Sequence, residues 1–253
     1  MSIQRDALHK LLNQWTDAGQ FQDYCPNGLQ VEGRSHIQKI VTGVTASQAL
    51  IDQALARNAD AILVHHGYFW KGESAPVTGM KKHRLQALLG ADVSLFAYHL
   101  PLDCHPDFGN NAELARRLGL TDLSPAEQAP TGILMLGDVT GEVTLNAFVE
   151  QLESAVERSL IAQVDGGEHA VKRVAICTGG GQGFIEAAVE AGADTFISGE
   201  ISEQTVHVAR ERGIHYLAAG HHATERYGVK ALGEKLAREA NLDVEFIDID
   251  SPA

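Results

Sequence analysis

Ala61-Ile62-Leu63-Val64-His65-His66-Gly67 is the stretch on which the fold reading turns. Four apolar residues, preceded by Asp60, run directly into two adjacent histidines and a glycine. An apolar run this short, bounded by an acid and a glycine, reads as a buried strand that stops at its histidines. In an open α/β sheet, ligands sit outside the carboxyl ends of strands. His65 and His66 therefore fall where such a sheet does its chemistry.

Upstream, residues 40 to 44 read as a strand and 46 to 57 as a helix, with Thr45 or Ser47 able to cap it. With the run at Ala61 this makes a βαβ unit, which implies a parallel pair and a right-handed crossover. Before it, residues 3 to 17 carry Leu8, Leu11, Leu12 and Trp15 at helical spacing. A turn-rich loop, Asp23-Tyr24-Cys25-Pro26-Asn27-Gly28-Leu29-Gln30-Val31, leads into a short extended piece. Downstream, a loop over 67 to 79, rich in Gly, Pro and aromatics, precedes a helix at 81 to 89. A strand at 93 to 98 again ends on histidine, in Tyr98-His99-Leu100-Pro101-Leu102-Asp103. Residues 110 to 118 are helical, and the polar, Pro-containing stretch 121 to 132 marks a domain boundary.

The second half repeats the plan. Residues 133–136 and 141–144 read as strand and turn, 145–159 as helix, 171–178 as strand. Thr178-Gly179-Gly180-Gly181-Gln182-Gly183 and a helix at 184–190 follow. Then come a strand at 195–198, a helix at 203–212, a strand at 216–219, a helix at 224–240 and a terminal strand at 244–249. IVTGVTASQALIDQALARNADAILVHH (40–66) aligns with VAICTGGGQGFIEAAVEAGADTFISGE (174–200), an internal repeat that sets His65-His66 opposite Gly199-Glu200. The expectation is an α/β protein of two related α/β domains with strand–helix repeats, 1–126 and 127–253. The strand at 244–249 is free to return to the first domain. Two such layers packed together would bring corresponding strand ends near one another, around a dinuclear metal site.

Length and composition suit this. The 253 residues, 44% hydrophobic and 21% charged, can bury a sizeable core. A formal charge of −13 argues against stable duplex nucleic acid binding, although a local metal can still draw a small polyanion into a cleft. Cys25, Cys104 and Cys177 form no C-x-x-C pair, so neither a disulfide framework nor a zinc ribbon is indicated. The N-terminus, with Arg5, Asp6 and Lys10, lacks an apolar signal core, and no stretch reaches the length of a membrane span. The cytoplasm is the expected location.

Three clusters carry metal-ligand types: His65-His66; His99 with Asp103, followed by His105 and Asp107; and Gly220-His221-His222-Ala223-Thr224-Glu225. A lone histidine is more often a hydrogen-bonded structural group by roughly several to one, and His83, His169, His207 and His215 are read as structural or exposed. The three clusters gain weight from their shared place, at strand ends with Asp or Glu nearby. Mixed imidazole and carboxylate donors suit Zn, Fe or Mn rather than a Ca or Mg cage. A pair of such ions supplies hydroxide near neutral pH. The glycines 179–183 read as a tight βα turn more readily than as a phosphate cradle, since the Lys-Ser/Thr of a P-loop is missing. Tyr68-Phe69-Trp70-Lys71 reads either as a lid whose rings stack on a base or as a core or subunit-contact segment. No basic residue adjoins Cys104 to make it a thiolate nucleophile.

Asn27-Gly28-Leu29-Gln30-Val31, His65-His66-Gly67, Tyr98-His99-Leu100-Pro101-Leu102-Asp103 and Gly220-His221-His222-Ala223-Thr224-Glu225, in this order over nearly the whole chain, resemble the YbgI (NGG-interacting-factor-three-like) family. Its members carry the name GTP cyclohydrolase I type 2 homolog. The resemblance implies two divalent transition-metal ions per subunit (Zn, Fe or Mn) held by His65, His66, Asp103, His221 and Glu225, with Glu225 or Asp103 bridging. His99 is implied nearby, as a direct ligand or a partner behind the ligands, and is the residue assigned the catalytic role. It further implies a ring-shaped homohexamer and hydrolytic opening of the guanine imidazole ring of GTP or a damaged nucleotide by metal-bound hydroxide. A two-metal phosphoester hydrolase and a non-enzymatic metal-holding scaffold are the alternatives. Six candidate ligands over two ions leave coordination positions open, which favours catalysis over a closed structural site.

Overall fold

The apolar run before His65 is a strand, Ala61–His66, lying between parallel neighbours Lys39–Thr45 and Ser94–Ala97. The computed structural model describes residues 2–130 and 132–253. In chain order the first elements are β1 (Ile3–Gln4), α1 (Arg5–Trp15), β2 (Gly28–Val31), β3 (His36–Ile37), β4 (Lys39–Thr45), α2 (Gln48–Ala56), β5 (Ala61–His66), α3 (Gly79–Gly90) and β6 (Ser94–Ala97). Next come α4 (Leu100–Cys104), α5 (Asn110–Arg117), β7 (Thr121–Pro125), β8 (Met135–Val143), α6 (Leu145–Val156), β9 (Ala162–Val164) and β10 (Val171–Cys177). The chain ends with α7 (Ile185–Glu190), β11 (Thr195–Ser198), α8 (Glu203–Arg212), β12 (His215–Ala218), α9 (His221–Thr224), α10 (Arg226–Ala240) and β13 (Asp243–Phe246). Two compact units result. One holds the residues up to 102 together with 228–250; the other holds 103–227 with 251–253.

In the first unit the sheet order is β13-β4-β5-β6-β2. The first four strands are parallel and β2 runs antiparallel to β6. Val41, Ile62, Val64 and Leu95 are fully buried beneath Leu50 and Ile51 of α2 and Leu88 of α3. Each such side chain contributes about 1.5–3 kcal/mol of transfer free energy, and it is this burial that fixes which way the strand ends face. Of the two candidate caps, Ser47 is the one used: its Oγ accepts from the Leu50 N–H at 3.2 Å and starts α2.

The second unit has the order β7-β8-β10-β11-β12-β9, with β10, β11 and β12 parallel and β8 and β9 antiparallel beside them. Both faces of its central strands are covered. Phe148 and Leu152 of α6 pack with Leu114 of α5 on Val174 and Ile176. Ile185 and Ala188 of α7 and Ala209 of α8 pack on Ala175, Phe196 and Tyr216. Strands buried on both faces read as near-continuous apolar runs, which is why these were legible.

Several elements differ from expectation. Residues 133–136 and 141–144 were expected to be separate strand and turn, but β8 is continuous through Gly141, because pairing with β10 reaches Val143 opposite Val171. The helix expected over 145–159 ends at Val156, where Glu157 turns left-handed at φ 54°. The helix expected over 224–240 runs over 226–240 as α10, a short α9 covers 221–224 before it, and Glu225 is the residue between them rather than a member of a first turn. Residues 121–125, within a stretch read as loop, form β7 against β8; Thr131 of that stretch lies outside the described residues. Among the described residues no helix is long and apolar enough to cross a membrane. The three cysteines are all buried, with no disulfide among the described residues.

Candidate metal centre

In the first unit the donors come from the ends of β5 and β6. Neighbouring side chains on a strand point to opposite faces, and His65 is wholly buried while His66 is half-buried. Their rings nevertheless approach to 4.4 Å between centroids, and the strand ends there, just before Gly67. A Cβ there would stand 2.2 Å from Gln30 Oε1 and 2.6 Å from the Ala97 Cβ. Gln30 fills that space and holds the chain there, accepting from the Tyr68 N–H at 2.7 Å and donating to the Tyr68 carbonyl at 3.1 Å. His99, one residue past Tyr98, brings its ring to 5.2 Å from His65 and 5.7 Å from His66. One ligand nitrogen from each of the three imidazoles lies within 4.8 Å of the others.

The hydrogen bonds set the tautomers. His65 Nδ1 stands 3.0 Å from the Tyr98 carbonyl and His99 Nδ1 stands 2.7 Å from Asp23 Oδ1. A carbonyl and a carboxylate only accept, so each Nδ1 carries a proton and Nε2 is the nitrogen left to offer a lone pair. His66 Nδ1 lies 3.2 Å from Thr45 Oγ1. His215 shows the opposite case. Its Nδ1 accepts from the Gly166 N–H and its Nε2 faces the His169 carbonyl, so both nitrogens are used in bracing a buried ring. His83, His169 and His207 are exposed. His105 stacks on Phe108 and accepts the Asp107 and Phe108 N–H groups, a loop cap.

Asp23 was not singled out in the sequence. Its carboxylate takes hydrogen bonds from His99, from Asn27 Nδ2 at 2.9 Å and from the Leu100 N–H at 2.9 Å. Burial pushes its carboxyl up, but the hydrogen bond and charge of His99, with Asn27 and Leu100, outweigh that and hold it at about 2. A carboxyl depressed in the fold adds stability above its ordinary range and loses it as pH falls toward 2. Urea unfolding followed from pH 4 to pH 2 should therefore show a steeper loss of stability for the wild-type chain than for Asp23→Asn; parallel curves would refute this. Asp23 with Asn27, as Asp-x-x-x-Asn in a loop bearing Pro and Gly, was the available signal.

The aromatic stretch after the histidines is divided in role. Tyr68 is core, its hydroxyl donating to the Ala46 carbonyl at 2.7 Å. Trp70 stands edge-on to His99 at 4.9 Å and donates its indole N–H to the Gly67 carbonyl. Phe69 is exposed at φ 65°, with the Lys81 ammonium 5.3 Å from its ring.

In the second unit Asp103, His221 and Glu225 gather round the turn that follows β10. Asp103 Oδ1 accepts from Asn110 Nδ2 at 2.8 Å and from Thr178 Oγ1 at 3.5 Å. Asn111 ties the start of that turn, accepting the Thr178 N–H at 2.9 Å. Gly179 gives its N–H to Thr224 Oγ1 at 3.0 Å, so this glycine braces α9 and does not present its amide to an anion. His221 Nε2 stands 3.2 Å from Glu225 Oε2, and its Nδ1 stands 2.7 Å from Glu200 Oε1. Burial lowers the basicity of His221, but hydrogen bonds and charge from Glu225 and Glu200 outweigh it and raise it to about 9. Glu200, aligned with His66 in the internal repeat, thus serves as partner to an imidazole.

Asp103 and Glu225 are 7% and 3% exposed, and an oxygen of each lies within 4.8 Å of the other. Two buried like charges at that range need a cation or a proton between them. The donor chemistry, carboxylate and imidazole together, fits a borderline transition ion. Cys177 lies behind this cluster, where burial, with Asp103 beside it, pushes its thiol well above the usual range.

Fold and donors together define an α/β protein with imidazole and carboxylate groups gathered at the carboxyl ends of parallel strands. The chain belongs to the Duf34/NIF3 (NGG1p interacting factor 3) family, whose model matches residues 3–252. It is 54% identical to a Haemophilus influenzae protein named GTP cyclohydrolase 1 type 2 homolog, over 97% of this chain and 98% of that one. An Escherichia coli K12 protein of the same name is 52% identical over the same shares. The solved structure of protein ybgI, described as of unknown function, superposes with a TM-score of 0.95 at 50% identity, covering 99% of this chain and all of that one. A Thermus thermophilus protein gives 0.90 at 34% identity, over 99% of this chain and 100% of its own.

Proposed function

We propose that the chain is a metal-dependent hydrolase acting on a purine nucleotide, GTP or a damaged relative, with two divalent transition ions held by His65, His66, Asp103, His221 and Glu225. The observation that carries this reading is the donor set itself. Three imidazoles with engaged Nδ1 atoms gather in one unit; two buried carboxylates and a fourth imidazole gather in the other. Relatives named GTP cyclohydrolase 1 type 2 homolog over the whole chain support the substrate class.

When bound, the ions would supply Lewis acidity and activate water near neutral pH. The chain's own residues have separate tasks. His99, with Nδ1 held by Asp23, presents Nε2 as a sixth donor beside His65 and His66, which leaves proton transfer to the opening ring to a carboxylate of the site. His221, flanked by Glu200 and Glu225, holds a proton near neutral pH until a metal displaces it. The family resemblance further supports a homohexamer as the working form and the cytoplasm as its location.

The test is release of formate from GTP by the metal-loaded protein, with His65→Ala as control. Metal-dependent formate, lost in the control, is expected. Its absence with full metal occupancy would overturn the cyclohydrolase reading.

A further inference from the structure

Two imidazoles have Nδ1 held by a carboxylate at the same 2.7 Å, His221 by Glu200 and His99 by Asp23. The two pairs differ in what surrounds them. The Glu200 side chain is 45% exposed, so water can take its place, whereas that of Asp23 is 2% exposed. Asp23 Oδ1 accepts from the Tyr24 N–H at 2.6 Å as well as from His99. Its Oδ2 accepts from Asn27 Nδ2 and from the Leu100 N–H. Asn27 Oδ1 in turn accepts the backbone N–H of His99 at 2.8 Å. One loop therefore grips the imidazole and the peptide that carries it. Cys25 Sγ lies in the same cluster. Four donors already fill the Asp23 oxygens, which favours a hydrogen-bonding role over a separate ion site there.

We propose that Asp23 is the positioning residue of the centre: it fixes His99 as the Nδ1–H tautomer and sets the ring so that Nε2 is the atom offered to the metals. This rests on the metal reading above. An amide at position 23 cannot reproduce the arrangement, since both carboxylate oxygens receive donors and an amide NH2 must face one pair of them. Outer partners of this kind typically change metal affinity by 10–100-fold.

The test is Co2+ titration of the metal-stripped full chain, followed by its visible absorption. Asp23→Asn should weaken binding by about 10–100-fold and shift the cobalt bands. In a His99→Ala background the same substitution should change affinity by less than about twofold, because partners acting through one group are not additive. Unchanged affinity and spectrum in Asp23→Asn would overturn the proposal. So would an equal loss in the His99→Ala background, which marks a loop brace. A wild-type chain that binds no Co2+ would instead overturn the metal reading, and this role with it. An independent measurement covers an Asp23→Asn chain that does not fold. The 15N shifts of histidine-labelled, metal-stripped wild-type protein at pH 8, assigned by difference from His99→Ala, should report Nδ1–H for His99; Nε2–H would overturn the proposal.

Discussion

Elemental analysis of the Glu225→Gln protein should find at least one fewer transition ion per chain than in the wild type, with the fold intact. Glu225 is 3% exposed, its Oε2 stands 3.2 Å from His221 Nε2, and one of its oxygens lies within 4.8 Å of an Asp103 oxygen. Glutamine keeps the volume, removes the charge and turns an NH2 toward neighbours that suit an anion. Loss of a direct ligand should exceed the ~10–100-fold that outer partners cost. Removing one of two crowded carboxylates relieves repulsion in the metal-free state but also removes a charge partner of His221, so the readout is metal content in a chain shown to be folded. A Glu225→Gln chain that keeps both ions would rule out Glu225 as the bridging ligand.

Gly179→Ala should empty the centre by a different route. Gly179 adopts φ +63°, where an L side chain costs about 1–2 kcal/mol. Its Cβ would stand 1.9 Å from Glu225 Oε1 and 3.1 Å from His221 Nε2. Backbone strain alone predicts a fall in Tm of roughly 2–8 °C. Displacement of Glu225 predicts the larger effect, loss of metal from a chain that remains folded. Gly183→Ala is the matched control, since nothing lies within 4 Å of its added Cβ. It should leave both metal content and Tm close to wild type. Full metal content in Gly179→Ala would show that Glu225 does not need its present position.

The α/β plan was legible because its central strands are buried on both faces. Ala61 to Val64 and Val174 to Cys177 are apolar without interruption, the first preceded by helix α2 and the second followed by a glycine turn and α7. Edge elements were harder to read. β7, with Asp122 and Ser124, carries no apolar run, and only its pairing with β8 makes it a strand. The strand-end histidines stood out in the sequence, and the rings of His65, His66 and His99 do lie together. Their supports did not stand out. Asp23, Gln30, Asn111 and Glu200 act through hydrogen bonds to partners 21 to 76 positions away in the chain. No periodicity encodes such bonds. The break at Glu225 was also hidden, because the sequence reads as one helix from Thr224 to Ala240, whereas His221–Thr224 closes as a short helix of its own, with Thr224 Oγ1 bonded to the Gly220 carbonyl.

The edge pairing of β13 with β4 has a consequence for synthesis. Asp243 pairs with Lys39, so the sheet of the first unit waits for a strand made about 200 residues later. At ~5–20 residues per second that interval is on the order of 10–40 s. Residues 103–227, continuous in sequence, emerge complete within it. Until β13 arrives, the outer edge of β4 carries open N–H and C=O groups of the kind other chains can pair with. The nascent first unit is therefore the part of this protein that most needs shelter on the ribosome, and β13 is the segment whose arrival ends that exposure.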